Sequence, residues 1–127
     1  MVEKMQKLAT HYHAGQERRG NEHTPYIVHP QGVVKMLSCW GVPENSPVLA
    51  AAWGHDLLED TAVTPREIAE NSSDMVLDWI KMLTCSPDEN KSDYLQKLSN
   101  CGVWEVLLIK AADRLCNSLD FLSTEGV

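Results

Sequence analysis

A chain of 127 residues and 14.2 kDa, 43% of them hydrophobic, has room for one domain spanning residues 1–127 and enough apolar material for a real core. That excludes a disordered chain and two independently folded units. Eleven Lys plus Arg against eighteen Asp plus Glu give a net charge of −7, the wrong sign for a binder of duplex nucleic acid. No apolar run reaches the roughly 18 residues of a membrane span. Met1 to Thr10 lacks the order of a secretion signal, so a cytoplasmic location is expected, with no membrane partner. Cys39, Cys85, Cys101 and Cys116 form no C-x-x-C pair and have apolar company; they read as buried thiols rather than disulfides or a zinc knot.

In chain order, Met5, Leu8 and Tyr12 at helical spacing predict a first helix from Val2 to about Arg19, broken by the run Gly20 to Pro25. A second begins near His29-Pro30 and runs to Trp40, with Gly41 ending it. Ser46 as N-cap and Pro47 in the first turn open a third, which continues through Ala50, Ala51 and Ala52 to about Asp60. Thr64-Pro65-Arg66-Glu67 repeats that start and adds a capping-box Glu, predicting a short helix from Pro65 to Glu70. Met75, Val76, Trp79, Ile80 and Leu83 mark one face of a helix from about Ser73 to Leu83. After a polar loop from Ser86 to Lys91 come a weaker helix from Ser92 to Ser99 and a last one from Val103 to about Leu122. No strand alternation or internal repeat is present, so the fold class is all-α, a compact bundle of six or seven helices. Trp40, Trp53, Trp79 and Trp104 have apolar neighbours at helical spacing and are expected in the core.

The chemistry concentrates in A-A-A-W-G-H-D-L-L-E-D-T, Ala50 to Thr61. On a continuous helix His55 stacks above Glu59 and Asp56 above Asp60, giving two adjacent columns of ionisable groups beside Ala51, Trp53, Leu57 and Leu58. Buried, they need a compensating cation; the plain alternative is a solvated face, although this one carries no Lys or Arg. Imidazole with carboxylate suits Mn²⁺, Fe²⁺, Co²⁺ or Zn²⁺ better than Mg²⁺ or Ca²⁺. His55 and Asp56 can supply two ligands, and His29 in P-Y-I-V-H-P and Asp113 in K-A-A-D-R-L-C-N are candidates for more. Asp113 has an alternative reading as the partner of a nearby Lys or Arg. Lys110 and Asn117, three before and four after it, share its face and would set a cation and an amide beside a metal.

The elements H-A-G-Q-E-R (His13 to Arg18), T-P-Y-I-V-H-P (Thr24 to Pro30), H-D-L-L-E-D-T (His55 to Thr61) and K-A-A-D-R-L-C-N (Lys110 to Asn117) together make the chain resemble the HD-domain phosphohydrolases. Within them it is most similar to the small alarmone hydrolases related to the hydrolase domain of RelA/SpoT proteins. The resemblance implies His29, His55, Asp56 and Asp113 as ligands of one Mn²⁺-like ion, and Glu59 and Asp60 as the hydrolytic acid pair. It implies that Arg18, with Arg19 as helper, contacts the base or phosphates of a nucleotide, and that Asn117 faces the nucleotide; Lys110, the cation on the same face, is expected to bind substrate with them. The reaction it implies removes the 3′-pyrophosphate of guanosine 3′,5′-bis(diphosphate) or the pentaphosphate. Two side-by-side carboxylates repel when both are ionised, so one of Glu59 and Asp60 is expected to hold a raised pKa.

The chain departs from that family at Trp53-Gly54 ahead of His55, in the length of the Arg18 to Pro25 loop, and in Ser118-Leu119-Asp120 after Asn117. These departures leave open an HD phosphohydrolase for another nucleotide, and a non-catalytic nucleotide-binding module. His13 is expected either to support the metal site or to pack between helices; His11 and His23 are expected at the surface, with Lys35, Lys81 and Lys97 solvated. Four of the acidic charges fall in the one constellation, while Arg18, Arg19, Lys110 and Arg114 gather in the same motifs and make its rim positive. With little chain left to cover a pocket, a homo-oligomer is expected.

Overall fold

The structure is a computed structural model describing residues 1–17 and 24–124. Among these residues every regular element is helical, apart from an isolated antiparallel bridge between Glu17 and Pro25. The first helix, α1 (Val2–Tyr12), buries Met5 and Ala9, four apart on one face. It stops well short of Arg19 because Gly15 takes a left-handed conformation at φ 84°, which turns the chain into the bridge. Tyr26 N then donates to Gln16 O at 2.8 Å, beside the bridge.

Helix α2 (Val28–Cys39) buries His29, Val33 and Leu37 along one stripe, and α3 (Pro47–Trp53) is buried throughout from Val48 to Trp53. Ser46 Oγ caps α3 by accepting from Val48 N at 3.1 Å, with Pro47 in the first turn. This central helix packs against α1, α2, α6 (Asp74–Leu83) and α8 (Trp104–Thr124).

The expected third helix does not run on to Asp60. It breaks at Gly54, His55 and Asp56, and a separate short helix, α4 (Leu57–Asp60), follows. Seven expected helices thereby become eight among the described residues. Gly54 is needed for close approach: a Cβ there would lie 2.6 Å from Met5 Cε and 3.0 Å from Ile80 Cδ1, both side chains being fully buried. Gly54→Ala is expected to cost about 1–3 kcal/mol by overpacking. Thermal denaturation checks this, and an unchanged melting temperature would mean that Met5 moves aside freely.

Thr64 caps α5 (Pro65–Asn71) by accepting from Glu67 N at 3.2 Å, and Ser73 caps α6 by accepting from Val76 N at 3.1 Å. The Glu67 carboxylate accepts from Tyr12 OH at 2.5 Å, tying α5 to α1. Helix α7 (Lys91–Ser99) is held to the end of α6 where Tyr94 OH donates to Leu83 O at 2.6 Å. Long α8 presents Val106, Ile109, Ala112 and Asp113 inward and packs on α2.

Several expectations fail at the ends of elements, where helical spacing outruns the core. Trp53 and Trp79 are buried, but Trp40 at the C-cap of α2 is 45% exposed and Trp104, the first residue of α8, is 64% exposed. Met75 faces solvent in the first turn of α6. None of the four cysteines is in a disulfide, yet only Cys116 is buried; Cys39, at the end of α2, is exposed. His11 is exposed as expected, and His23 lies outside the described residues. No helix of the described residues is long and apolar enough to cross a membrane.

Candidate metal centre and active site

Three elements converge on one buried point: the first turn of α2 brings His29, the break between α3 and α4 brings His55 and Asp56, and the middle of α8 brings Asp113. His29 Nε2 lies 2.7 Å from Asp113 Oδ1, and His55 Nε2 lies 3.3 Å from the same oxygen. Asp56 Oδ2 is 3.1 Å from His55 Nε2 and 3.7 Å from His29 Nε2. One ligand atom from each of His29, His55 and Asp113 falls within 4.8 Å of the others, and all three residues are buried. They form a candidate metal site.

The break in the helix orients His55. Freed from an unbroken ladder, Ala52 O accepts from His55 Nδ1 at 2.7 Å, which places the ring proton on Nδ1 and turns Nε2 toward the carboxylates. That is the tautomer a metal-binding imidazole needs, and two imidazole nitrogens with two carboxylates make a donor set suited to a borderline divalent ion. His29 Nδ1, by contrast, is buried with no hydrogen-bond partner among the described residues.

The groups polarise each other. Burial opposes the charged form of His55, but the adjacent Asp56 and Asp113 carboxylates override it and hold the imidazole well above its ordinary pKa. Burial likewise pushes against ionised Asp56 and Asp113, yet the imidazoles, with the Tyr26 hydroxyl on Asp56 and Lys110 beside Asp113, hold both well below the usual carboxylate range.

Glu59 and Asp60 stand on the exposed side of α4 just beyond the cluster. The expected stacking of His55 on Glu59 is lost with the helix break, while Asp60 N still donates to Asp56 O at 3.0 Å. Both carboxyls are raised, first by partial burial and then by the charge of Asp56; for Glu59, Asp60 adds to the effect and Lys110 and Lys91 oppose it. One raised acid was expected from the repulsion within the pair; both are raised, with burial and Asp56 ahead of that repulsion.

Around Asp113, Lys110 Nζ donates to Oδ2 at 3.2 Å and Asn117 Nδ2 approaches Oδ1 at 3.5 Å. The alternative of a lysine partner for Asp113 therefore holds together with the metal-site geometry. Lys110 also lies over the Tyr94 ring, 5.5 Å from its centroid. A cleft of about 300 Å³ opens here, lined by Lys91, Lys110, Arg114 and Asn117 together with Asp113. Arg18 and Arg19 lie outside the described residues.

Two residues escaped the sequence reading. Lys91 was assigned to a polar loop; it is the first residue of α7, and only the packing of α7 near α8 brings it to the cleft. Tyr26, whose hydroxyl donates to Asp56 Oδ2, sits three residues before His29, a spacing that could have drawn attention to it.

No family model matches the chain. It is 34% identical over 117 residues to guanosine-3′,5′-bis(diphosphate) 3′-pyrophosphohydrolase MESH1 of Xenopus tropicalis, a match covering 89% of this chain and 65% of the relative. It is 30% identical over 122 residues to the guanosine-3′,5′-bis(diphosphate) 3′-pyrophosphohydrolase of Aquifex aeolicus, covering 91% of this chain and 17% of that protein. A solved structure described as a metazoan orthologue of SpoT that hydrolyzes ppGpp superposes with a TM-score of 0.84 at 26% identity, covering 96% of this chain and 70% of its own. The chain thus spans a little under two thirds of the animal relatives it matches. Over about nine-tenths of its length it is a homologue of the MESH1- and SpoT-type HD-domain 3′-pyrophosphohydrolases.

Proposed function

We propose that the protein is a metal-dependent nucleotide pyrophosphohydrolase that removes the 3′-pyrophosphate of guanosine 3′,5′-bis(diphosphate). The observation that carries the reading is the convergence of His29, His55, Asp56 and Asp113 beside an exposed acid pair and a cationic cleft. Those four residues would hold one divalent ion, Mn²⁺ being the first to try and Fe²⁺, Co²⁺ or Zn²⁺ the alternatives. Such an ion supplies positive charge to phosphate oxygens and acidifies a nearby water.

The chain's own residues do the rest. Lys110, Lys91 and Arg114 neutralise the pyrophosphate as it enters the cleft, and Asn117 offers an amide to the nucleotide. Glu59 and Asp60 take the proton of the attacking water. Water oxygen bonds to the phosphorus attached to O3′, the bond from that phosphorus to O3′ breaks, and the proton passes to O3′, leaving guanosine diphosphate and pyrophosphate. Arg18 and Arg19 are assigned to the base and its phosphates. The same reading makes residues 1–127 one domain and its location cytoplasmic.

Lys91→Ala is expected to raise KM severalfold with a smaller change in kcat, and the defect should shrink as salt screens the wild-type cleft. Comparing pyrophosphate with orthophosphate release over a panel of nucleotides tests the reading as a whole. Guanosine 3′,5′-bis(diphosphate) should give pyrophosphate; release of orthophosphate alone, from this or another nucleotide, would replace it with a phosphomonoesterase.

A further inference from the structure

The residues flanking the Glu17–Pro25 bridge reach the acid pair through a set of contacts that the proposed chemistry has not used. His13 is 2% exposed, and its Nδ1 lies 2.8 Å from Gln16 Oε1. Gln16 Nε2 donates to Asp60 O at 3.0 Å, which fixes the amide with its oxygen toward the imidazole. His13 Nδ1 is therefore the protonated nitrogen of that ring. The His13 and Tyr26 rings pack with centroids 4.7 Å apart. Tyr26 OH donates to Asp56 Oδ2 and stands 3.5 Å from Asp60 Oδ2.

The geometry points to Gln16 and Tyr26, braced by His13, as positioning residues for the two functional carboxylates: Gln16 fixes the backbone of Asp60, and Tyr26 fixes the orientation of Asp56 relative to Asp60. This inference rests on the assignment of Asp56 as ligand and Asp60 as acid. Helix α4 is a single turn, too short to hold its last residue rigidly by its own hydrogen bonds, so an outside anchor has work to do there. The Gln16 amide supplies that anchor. A phenolic hydroxyl has one proton, and it goes to Asp56 Oδ2, the oxygen that also faces His55 and His29; this holds that oxygen toward the cluster and keeps the carboxylate from swinging toward Asp60. His13 acts through Gln16, since without its N–H the amide is free to flip and present oxygen to the Asp60 carbonyl.

The test separates the two anchors by different readouts. Tyr26→Phe should weaken Mn²⁺ binding about tenfold in a titration followed by electron paramagnetic resonance. Gln16→Glu places an oxygen against Asp60 O; it should leave Mn²⁺ affinity unchanged, lower kcat at least tenfold and leave KM alone. In the same variant the side-chain carboxyl carbon of Asp60 should shift in the NMR spectrum. His13→Leu should behave as Gln16→Glu, whereas His13→Asn, whose amide nitrogen can replace Nδ1, should recover most of the rate. Wild-type Mn²⁺ affinity in Tyr26→Phe overturns the role of Tyr26, and an unshifted Asp60 carboxyl in Gln16→Glu overturns that of Gln16. Neither readout needs turnover, so a wild-type protein inert toward guanosine 3′,5′-bis(diphosphate) defeats the proposed function and leaves these two measurements decisive for the positioning network.

Discussion

Asp113→Ala is expected to abolish uptake of a divalent ion and to destabilise the metal-free protein by about 3–5 kcal/mol, the usual cost of stranding buried charges. Asp113 Oδ1 meets both His29 and His55, so its loss leaves two buried imidazoles without their common partner. For a domain of this size the melting temperature should fall by roughly 10–20 °C. His55→Ala should likewise lose the ion, because it removes the nitrogen that faces Asp56 and Asp113. Elemental analysis together with thermal denaturation checks both variants, and full metal occupancy in either contradicts the ligand set.

The pH dependence of the metal-free cluster follows from the directions of its shifts. His55 is raised, so its contribution is fully present below the unfolded imidazole pKa of about 6.5 and is lost as pH rises through its higher folded value. Asp56 and Asp113 are lowered, so theirs is present above roughly pH 4 and is lost as pH falls through their folded values. Without an ion, the cluster stabilises most between those limits. Metal binding needs the lone pair that the proton on His55 Nε2 occupies, so loading releases a proton and affinity rises with pH. The gap in melting temperature between Mn²⁺-loaded and chelator-stripped protein should widen from pH 5.5 to 8. Parallel curves would mean that His55 is not a ligand.

Glu59→Gln combined with Asp60→Asn is expected to lower kcat by about 10²- to 10⁴-fold while leaving the metal in place. Neither carboxylate is among the convergent ligand atoms, and both lie on the exposed turn beyond them. In the metal-free protein the same change should raise stability above neutral pH, because it removes two carboxylates that burial and Asp56 disfavour in their charged form. Metal content, melting temperature and turnover measured on one preparation separate this outcome from general damage. Wild-type turnover in the double variant would remove the pair from the chemistry and favour a nucleotide-binding module.

Much of this site was legible in the sequence because its residues are unusual for their surroundings. His55-Asp56 interrupts an alanine-rich buried helix, and Asp113 sits on the inward face of an apolar one. Proline and side-chain caps located the starts of α3 and α5 to within a residue or so, since those signals are local. The break after Trp53 was hidden because helical spacing runs straight through it; the closeness of Met5 from α1 and Ile80 from α6, which leaves no room for a Cβ at Gly54, exists only in the packed fold. Lys91 was hidden for the same reason. Its relation to Asp113 exists only once α7 and α8 are placed together. Trp40 and Trp104 carried the right spacing for the core but stand at helix ends, beyond the neighbours that would cover them. The net charge of −7, adverse to an anionic substrate, is concentrated in a cluster that an ion and the Lys91, Lys110 and Arg114 cleft can offset.

The central claim is that the buried histidine and aspartate cluster holds the ion on which 3′-pyrophosphate hydrolysis depends. Phosphorus NMR of guanosine 3′,5′-bis(diphosphate) with chelator-stripped protein, followed by stepwise addition of Mn²⁺, tests it most directly. Guanosine diphosphate and pyrophosphate should appear in equal amounts, absent before the metal and saturating near one ion per chain. Equal turnover by the stripped protein, or orthophosphate as the sole product, would contradict it.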